Sequence, residues 1–368
     1  MIGRSIPEKE TGNIGLFEFD QAKALQENTN NQILYGFVDN RSIKVLRKFS
    51  IFNKSIENVP VYGVFLPIGG LYKPLFDEIK FILFRKMFKK IEKKYGLIDI
   101  VHVHYPVMLL NNRILSFLEE KDIKIVVTEH WSKVQSNNLT VREENILESV
   151  CQTSNSIIAV SQNLKESIVT YCPFSRPKIN VIPNLISNNY KIQKRNDDDF
   201  FTFVTIGRLV PIKNNIEVLK AFKKVNSVYE NTRLYIVGDG EEKENLSGYV
   251  KQNSLEKSVL FTGFLDSQDI NLLFKKIDVY ISASVIETFG VPVVESWFSG
   301  RPVIIRDKHP LSRYITDENG SIYKQSNELS IKMLNCIKEN FNYDVITEIS
   351  RGIFSKESII NNIQNVYK

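Results

Sequence analysis

Cysteine is scarce in this sequence, and its few copies stand far apart. Three cysteines occur in 368 residues, at Cys151, Cys172 and Cys336, and no two of them form a C-x-x-C pair. The pattern therefore encodes neither a disulfide framework nor a zinc site of paired cysteines. We expect a chain that works in a reducing compartment, and we predict a cytoplasmic location.

Long hydrophobic runs are also missing. No stretch approaches the ~18 uninterrupted apolar residues that a membrane-spanning helix needs. Charged residues interrupt the N-terminal segment, so we predict no signal peptide. The sequence also lacks a Walker P-loop, and its G-D-G at 238–240 does not complete a G-x-G-x-x-G motif. These absences disfavour phosphoryl transfer of the P-loop type.

The charge balance is only modestly positive. The net charge is +6 for the whole chain, with no zinc-finger spacing and no aromatic-basic RNA-binding motif. The balance allows attraction to anionic ligands or lipid surfaces, but it does not indicate nucleic-acid binding. We therefore predict that nucleic acid is not a partner.

Short segments rich in β-branched residues alternate with longer amphipathic segments, which is typical of a parallel sheet covered by helices on both faces. The polar stretch 186–200 interrupts the alternation and is predicted to be a linker. We expect an α/β fold with two doubly wound domains, 1–185 and 201–350, that face one another across a ligand cleft. Residues 351–368 are predicted to form a C-terminal helix that crosses back to the N-terminal domain.

The beginning of the chain departs from this pattern. The segment GNIGLFEFDQAKAL reads as a glycine-containing loop that opens a helix, yet only residues 1–5 are left for the strand that should precede it. We expect either a first strand shortened to a stub or a natural chain that begins upstream of Met1. A missing strand would leave the edge of its neighbour uncovered.

Two cations follow a predicted strand in the segment TIGRLVPIKNN. Arg208 and Lys213 lie in the turn before a helix predicted to start near Asn214 and Asn215. A helix N-terminus with two cations beside it favours an anion such as a pyrophosphate. The alternative is that both side chains are merely solvated, which is the common fate of a single lysine or arginine.

Two glutamates flank the turn in SVIETFGVPVVESWFSG. We predict that a strand ends at Ser284, that Glu287 lies in the loop, and that a helix starts at Pro292, where proline is tolerated. Glu295 then falls in the first turn of that helix, where its purely structural role would be to complement the helix dipole. Glu287 has no evident structural duty, so it is the stronger candidate for a ligand contact.

Three of the four histidines lie near predicted strand ends in the first half. His102 and His104 alternate along one strand, and His130 follows another. A metal site at the first two is possible by geometry, but no cysteine or carboxylate completes a ligand set. For one of the pair we expect a core histidine bonded to a backbone carbonyl. His130, at a carboxyl strand end, is the expected ligand contact.

A strongly basic helix is predicted over residues 73–95. Its apolar set is Phe76, Ile79, Phe84, Met87, Phe88, Ile91 and Tyr95, and its basic set is Lys80, Arg85, Lys86, Lys89, Lys90, Lys93 and Lys94. A basic face of this kind attracts anionic lipid headgroups. It is equally typical of the solvated side of a helix that covers a sheet.

Taken in order, these motifs resemble a known family. The arrangement G-x-x-G-x-F-E-x-x-Q-A-x-A-L, H-x-H, T-E-H, V-I-P-N, G-R-L-x-x-x-K, V-G-D-G, F-x-G and E-x(7)-E is similar to that of family 4 retaining glycosyltransferases. The resemblance runs from about residue 12 to about residue 324. It implies the GT-B fold of two facing Rossmann-like domains. The family's small-residue helix is replaced by ESWFSG, whose Trp297 and Phe298 are bulky.

The resemblance also implies roles for eight residues. Arg208 and Lys213 match the pair that grips the donor's diphosphate, and Glu295 matches the glutamate that binds the nucleotide ribose. Glu287 matches the glutamate that holds hydroxyls of the donor sugar, with the backbone of Phe289 and Gly290 nearby. His130 matches a histidine near the reacting centre, and Gly15 a glycine whose loop approaches the donor phosphates.

The implied activity is transfer of a hexose or N-acetylhexosamine from a nucleoside diphosphate sugar to a saccharide acceptor. The resemblance and the basic helix favour a lipid-linked acceptor at the inner membrane face, as in bacterial capsule or other surface polysaccharide synthesis. No metal or other cofactor is implied. Two alternatives remain: a catalytically impaired partner protein that binds nucleotide sugars, and a GT-B sugar-nucleotide epimerase.

Overall fold

The computed structural model describes residues 1–6, 14–38, 48–66, 73–186, 190–192, 195 and 199–368. The chain divides into two compact units. The first unit comprises Met1–Leu185 and Glu357–Lys368, and the second comprises Ile186–Lys356. Most of the predicted linker, and Gly12 of the first predicted loop, lie outside the described residues.

Each unit is built around one sheet. In the first unit the strand order is β3-β4-β2-β1-β5-β6-β7-β8, and in the second it is β11-β10-β9-β12-β13-β14. The strands are β1 Ile2–Gly3, β2 Tyr35–Val38, β3 Ser50–Ile56, β4 Val59–Phe65, β5 Ile100–His104, β6 Lys124–Glu129, β7 Ser156–Ala159, β8 Ile179–Val181, β9 Phe201–Ile206, β10 Thr232–Val237, β11 Val259–Gly263, β12 Val279–Ser282, β13 Val303–Arg306 and β14 Gly320–Tyr323.

Helices connect most of these strands. They are α1 Leu16–Asn28, α2 Lys73–Tyr95, α3 Pro106–Leu109, α4 Asn112–Glu119, α5 Ser132–Gln135, α6 Val141–Thr153, α7 Gln162–Tyr171, α8 Asn215–Asn226, α9 Lys243–Gln252, α10 Ser267–Leu273, α11 Val291–Phe298, α12 Ser326–Lys338, α13 Tyr343–Phe354 and α14 Lys356–Tyr367.

The two sheets are parallel apart from one edge strand. Strand β3 pairs antiparallel with β4, whereas the other described pairs are parallel. Parallel strands need crossover connections, and the alternating helices supply them. The prediction of two doubly wound α/β domains is therefore confirmed.

The shortened first strand occupies a central place in its sheet. Strand β1 pairs with β2 on one side and with β5 on the other. The Met1 amino group donates to the Leu34 carbonyl over 2.5 Å, and Gly36 N–H donates to the Met1 carbonyl over 2.8 Å. The expectation of an uncovered neighbouring edge is wrong, because two strand residues suffice to bridge β2 and β5.

The core of the first unit includes the end of the chain. Ile359, Ile360 and Ile363 of α14 are buried in one apolar cluster with residues of α1, β2 and β4. Burying an isoleucine side chain contributes roughly 1.5–3 kcal/mol, so α14 is an integral part of this core. The predicted helix 351–368 is two helices: Ser355 has an extended backbone and separates α13 from α14.

The bulky residues of α11 belong to the core of the second unit. Trp297 is 1% exposed and its indole N–H donates to the Asn319 carbonyl over 2.9 Å. Its ring stacks on Phe354 of α13, with ring centres 6.1 Å apart. The Thr347 hydroxyl donates to the Trp297 carbonyl over 3.2 Å. These contacts of Trp297 therefore hold α13 packed against α11.

Candidate functional site

The first predicted cation lies in a loop at the carboxyl end of β9. Two backbone hydrogen bonds hold this loop against the end of β10 and the turn after it: Gly207 N–H donates to the Val237 carbonyl over 3.0 Å, and Leu209 N–H donates to the Asp239 carbonyl over 2.9 Å. Arg208 lies between these two anchors, and its side chain is exposed. The loop backbone is fixed while the guanidinium reaches solvent.

The G-D-G turn at 238–240 explains how the two loops come so close. Gly238 has a φ of 131°, and a Cβ built on it would lie 1.9 Å from the Gly207 carbonyl oxygen. A side chain at this position would push the loop of Arg208 away. The turn therefore has a definite role, which is to let the backbone beneath Arg208 approach closely.

Lys213 and Glu287 form an ion pair. The side chains are only 21% and 16% exposed, respectively. Their loops are joined by a backbone hydrogen bond of 2.9 Å from Val285 N–H to the Ile212 carbonyl. Two residues separated by more than 70 positions in the sequence thus meet at the carboxyl ends of β9 and β12, where ligands bind in doubly wound folds.

Phe289 and Gly290 lead into α11. Phe289 is 2% exposed and packs edge-to-face on Phe354, whereas Gly290 is the residue before the first turn and has a φ of 95°. The helix begins at Val291, one residue before the predicted start at Pro292. Pro292 has no N–H and Val293 N–H donates to the Gly290 carbonyl over 3.0 Å, so the helix dipole is what makes this end of α11, next to the loop that carries Glu287, favourable for an anion.

Glu295 lies deeper than predicted. It is the fifth residue of α11, so it belongs to the second turn, and its expected place in the first turn is wrong. Burial raises the pKa of Glu295 to about 7, and the neighbouring Tyr190 hydroxyl acts in the opposite direction. The charges of Glu287 and Glu295 both help to raise the pKa of the buried Tyr280, so both carboxyls lie near the end of β12. A partly buried carboxyl of this kind is not a surface complement to the helix dipole.

In the first unit, Gly15 and His130 lie at the ends of different elements. Gly15 directly precedes α1, and its carbonyl accepts the hydrogen bond of Phe19 N–H over 2.9 Å. His130 directly follows β6 and is 8% exposed. A chain of side-chain contacts begins at α1 and ends at His130.

Arg4 connects α1 to the rest of these side-chain contacts. Its guanidinium bonds Glu18 of α1 over 2.7 Å and lies 3.7 Å from the ring centre of Tyr105. Tyr105 in turn stacks on His130, with ring centres 4.7 Å apart. Sequence reasoning missed Arg4 and Tyr105, since neither stands in a motif. Their only signal is that each follows a strand at the expected carboxyl edge.

The three histidines of the first unit form one buried group. His104 Nδ1 lies 3.0 Å from His130 Nε2, and the ring of His102 stacks on that of His104. His102 bonds the hydroxyls of Thr128 and Tyr367, each over 2.6 Å. The expected partner of a core histidine, a backbone carbonyl, is therefore wrong, because two hydroxyl groups take that place.

Burial dominates the electrostatics of this group. It lowers the pKa of His102 to about 3 and holds the pKa values of His104 and His130 well below their usual range. The side chain of Asn184 hydrogen-bonds His130 and acts in the opposite direction. His130 is therefore neutral at neutral pH, with ring partners at His104 and Asn184.

Glu129 positions the backbone at His130. Its Oε1 accepts the N–H groups of His130 and Trp131, each over 2.8 Å. Burial raises the pKa of Glu129 to about 7 against the opposing effect of these bonds. The T-E-H motif thus contains a turn-forming carboxyl beside the histidine.

Helix α2 has the predicted basic surface, with one exception. Lys80 is 5% exposed and donates to the Met108 carbonyl over 3.0 Å, so its assignment to the basic face is wrong. The other six are exposed: Arg85, Lys86, Lys89, Lys90, Lys93 and Lys94. Across the described ranges, we find no helix that is both long and apolar enough to cross a bilayer.

Metal ligands do not cluster in the part of the chain that the structure describes. No group of three or more histidine, cysteine, aspartate or glutamate side chains is arranged to hold a metal ion there. The predicted candidates instead fall into two sets. Six lie in the second unit, around the ends of β9 and β12, and two, Gly15 and His130, lie in the first.

Two protein families match this sequence. The family described as Glycosyl transferases group 1 matches residues 187–342. The family described as Glycosyltransferase Family 4 matches residues 52–189. Together the two matches span most of both units.

Curated relatives show moderate similarity. The sequence is 26% identical over 181 residues to the Alpha-monoglucosyldiacylglycerol synthase of Acholeplasma laidlawii, which covers 48% of this chain and 45% of the relative. It is 27% identical over 208 residues to the Phosphatidylinositol N-acetylglucosaminyltransferase GPI3 subunit of Saccharomyces cerevisiae, with 54% and 46% covered. The matched region spans about half the length of these relatives.

Solved structures resemble the chain over nearly its full length. The Anabaena protein HepE in complex with UDP and glucose has a TM-score of 0.73 at 17% identity, over 99% of this chain and 97% of that one. This likeness concerns the fold, which is the GT-B fold of two Rossmann-like domains. With two family matches that together cover residues 52–342, the chain belongs to the family 4 glycosyltransferases.

Proposed function

We propose that this protein is a retaining glycosyltransferase that moves a hexose or N-acetylhexosamine from a nucleoside diphosphate sugar to a saccharide acceptor. The observation that carries the proposal is the Lys213–Glu287 ion pair beside the N-terminus of α11. A cation for the diphosphate and a carboxylate for the sugar meet at one point. Family membership and the fold support the same conclusion.

Different residues bind three parts of the donor. Arg208 and Lys213 hold the diphosphate, together with the positive end of the α11 dipole. Glu295, on the second turn of the same helix, accepts hydrogen bonds from the ribose hydroxyls. Glu287 accepts hydrogen bonds from the transferred sugar, near the backbone of Phe289 and Gly290.

Binding of the donor changes the partner of each charge. Without a ligand, Lys213 and Glu287 neutralise one another. A diphosphate that approaches Lys213 competes for its ammonium group, and the sugar hydroxyls then replace that ammonium at Glu287. The ion pair thus keeps both side chains oriented until the donor arrives, which lowers the cost of ordering them on binding.

In the reaction, the bond between the anomeric carbon and the β-phosphate oxygen breaks and a bond to the acceptor oxygen forms. The acceptor hydroxyl gives its proton to the departing phosphate oxygen, and the nucleoside diphosphate leaves. Negative charge builds on the phosphate, where fixed cations stabilise the transition state most. We propose that Arg208, Lys213 and the helix N-terminus supply this charge stabilisation, so that no metal is required.

His130 contributes by position in this proposal. Its ring is neutral and is bonded to His104 and Asn184, so the ring is not poised to transfer a proton. Glu129 fixes the backbone at His130, and the family resemblance implies a place near the transferred sugar for this residue. For Gly15, which directly precedes α1, the family resemblance implies a contact with the donor phosphates.

The acceptor in this proposal is a lipid-linked saccharide of bacterial surface polysaccharide synthesis, with the protein in the cytoplasm at the inner membrane face. Two relatives carry lipid acceptors or products in their names. Helix α2 offers a matching surface, because the apolar Leu75 and Ile82, 52% and 42% exposed, precede its exposed basic residues along the helix. Such a surface suits anionic headgroups.

A donor screen tests the proposal. The protein is incubated with UDP-glucose, UDP-galactose, UDP-N-acetylglucosamine and GDP-mannose, with and without lipid-linked saccharide acceptors. Release of nucleoside diphosphate and a glycosylated product of α configuration are expected with one donor. Tight binding without release of nucleoside diphosphate would instead favour an impaired partner protein. A changed sugar in the absence of acceptor, seen by NMR, would favour an epimerase.

A further inference from the structure

His309 lies buried beside the Lys213–Glu287 pair and is not part of any motif used above. It follows β13 and is 3% exposed. Its Nδ1 accepts a hydrogen bond from the backbone N–H of Leu311 over 3.2 Å. Because Nδ1 accepts, the neutral ring carries its proton on Nε2.

The Nε2–H group is a buried donor that lacks a hydrogen-bond partner within the described ranges. A buried polar group without a partner is costly, and in a native protein it calls for a partner such as a water, an ion or a ligand, or for a catalytic role. Gly290 makes room for this edge of the ring. A Cβ built on Gly290 would lie 2.6 Å from His309 Nε2 and 3.5 Å from Glu287 Cγ, so both side chains border the same small space.

Burial keeps this histidine neutral. It lowers the pKa of His309 to about 4, although the negative charge of Glu287 acts to raise it. The positive charge of Lys213 acts in the same direction as burial. At neutral pH the ring therefore offers an N–H donor and no positive charge.

We propose that His309 is a specificity-determining residue whose Nε2–H donates a hydrogen bond to one hydroxyl of the transferred sugar, while Glu287 accepts the hydrogen of that hydroxyl. A carboxylate can only accept and this Nε2–H can only donate, so the two together complement a group that does both. A sugar without this hydroxyl would leave the buried Nε2–H of His309 without a partner, which is how a polar pocket rejects an analogue. The inference rests on the proposed function.

The test compares donors with and without their sugar. Binding of UDP, of the sugar nucleotide preferred in the screen (here exemplified by UDP-glucose), and of its single-deoxy analogues is measured by calorimetry for the wild type, His309→Met and His309→Gln. We expect H309M to bind UDP within about twofold of the wild type but UDP-glucose at least about tenfold more weakly, a loss of one hydrogen bond. H309Q, which keeps an N–H donor, should recover part of the loss. Lys308→Met, an exposed neighbour, should behave as the wild type.

The deoxy analogue that the wild type binds most weakly identifies the sugar hydroxyl that His309 contacts. Relative to the intact donor, the wild type should lose at least as much affinity for that analogue as H309M loses for the intact donor, and the missing hydroxyl should cost H309M less affinity than it costs the wild type. Equal losses on UDP and UDP-glucose, or no loss on either, would overturn the inference while leaving the glycosyltransferase proposal intact. If H309M does not fold, H309Q and the analogue series on the wild type decide. If the wild type binds every deoxy analogue as tightly as the intact donor, the inference is overturned. A wild type that binds UDP but no sugar nucleotide overturns both proposals.

Discussion

Lys213 and Glu287 form an ion pair that joins the loop after β9 to the loop after β12. The backbone hydrogen bond from Val285 to Ile212 holds the two loops in register at the same point. The pair is partly buried, so removal of one member leaves a charge that water screens only incompletely. It is therefore both a link within the second unit and the centre of the proposed donor site.

Removal of Lys213 should affect turnover more than binding. We expect Lys213→Ala to lower kcat by about 100-fold or more, because a fixed cation at the departing phosphate acts mainly in the transition state. Glu287→Gln should mainly raise KM for the sugar nucleotide. The fold loss of kcat/KM in the double variant should be smaller than the product of the losses in the two single variants, since the two residues are paired. Steady-state kinetics check this, with the exposed Lys224→Ala as the control; wild-type kinetics in K213A would contradict the placement of the site.

Nucleotide binding should depend on the protonation of Glu295. Its pKa is raised from 4.5 to about 7, so the carboxylate that accepts ribose hydroxyls is depleted below about pH 7. We expect the affinity for the nucleoside diphosphate to fall by about fivefold from pH 7 to pH 6. Glu295→Gln should bind more weakly at pH 8 and lose this pH dependence. Calorimetry checks this, and an unchanged pH profile in E295Q would refute it.

The same proton has a consequence for stability. The folded protein binds it more tightly than the unfolded chain does, so the free energy of unfolding contributed by Glu295 falls as the pH rises from 4.5 to about 7. E295Q should therefore flatten the dependence of the melting temperature on pH in this window. Equal slopes for the wild type and E295Q would contradict the raised pKa.

Gly238 and Gly248 offer a matched pair of substitutions. Gly238→Ala should destabilise the second unit by about 1–3 kcal/mol and lower activity, because the new Cβ would meet the Gly207 carbonyl at 1.9 Å and displace the loop of Arg208. Gly248, in α9, has no atom within 4 Å of its would-be Cβ, so Gly248→Ala should be neutral or stabilise by up to about 1 kcal/mol. Thermal unfolding and steady-state kinetics distinguish the two variants. Similar losses of stability and activity in both would argue against the close approach of Gly238 to the Gly207 carbonyl.

The exposed lysines of α2 should control binding to anionic membranes. Replacing Lys86, Lys89, Lys90 and Lys93 with glutamine should weaken binding to vesicles that contain phosphatidylglycerol, by about 1 kcal/mol for each charge near the surface. The control replaces four exposed lysines of the second unit, Lys220, Lys223, Lys224 and Lys251, with glutamine. Vesicle sedimentation at low salt measures the effect. If both variants bind equally well, α2 is only the solvated face of a sheet-covering helix.

Much of the fold follows from local pattern. The β-branched segments of β5, β6 and β9 are short and apolar and are bounded by turn residues, so they predict buried parallel strands from sequence alone. Strand β3 gives no such signal, because most of its residues are exposed at a sheet edge and its pairing depends on β4. The two-residue β1 is likewise invisible to periodicity and is defined only by the strands on either side of it.

The order of residue types along the chain was enough to indicate the family, the cations Arg208 and Lys213, and the glutamates Glu287 and Glu295. Spacing along the chain says nothing about which of these side chains touch, because contacts between loops depend on sheet order. The pairing of Lys213 with Glu287, the depth of Glu295, and the buried donor of His309 all arise from strands β9, β12 and β13 lying side by side. Burial and partners, which set charge state and hydrogen bonding, exist only once the chain has packed.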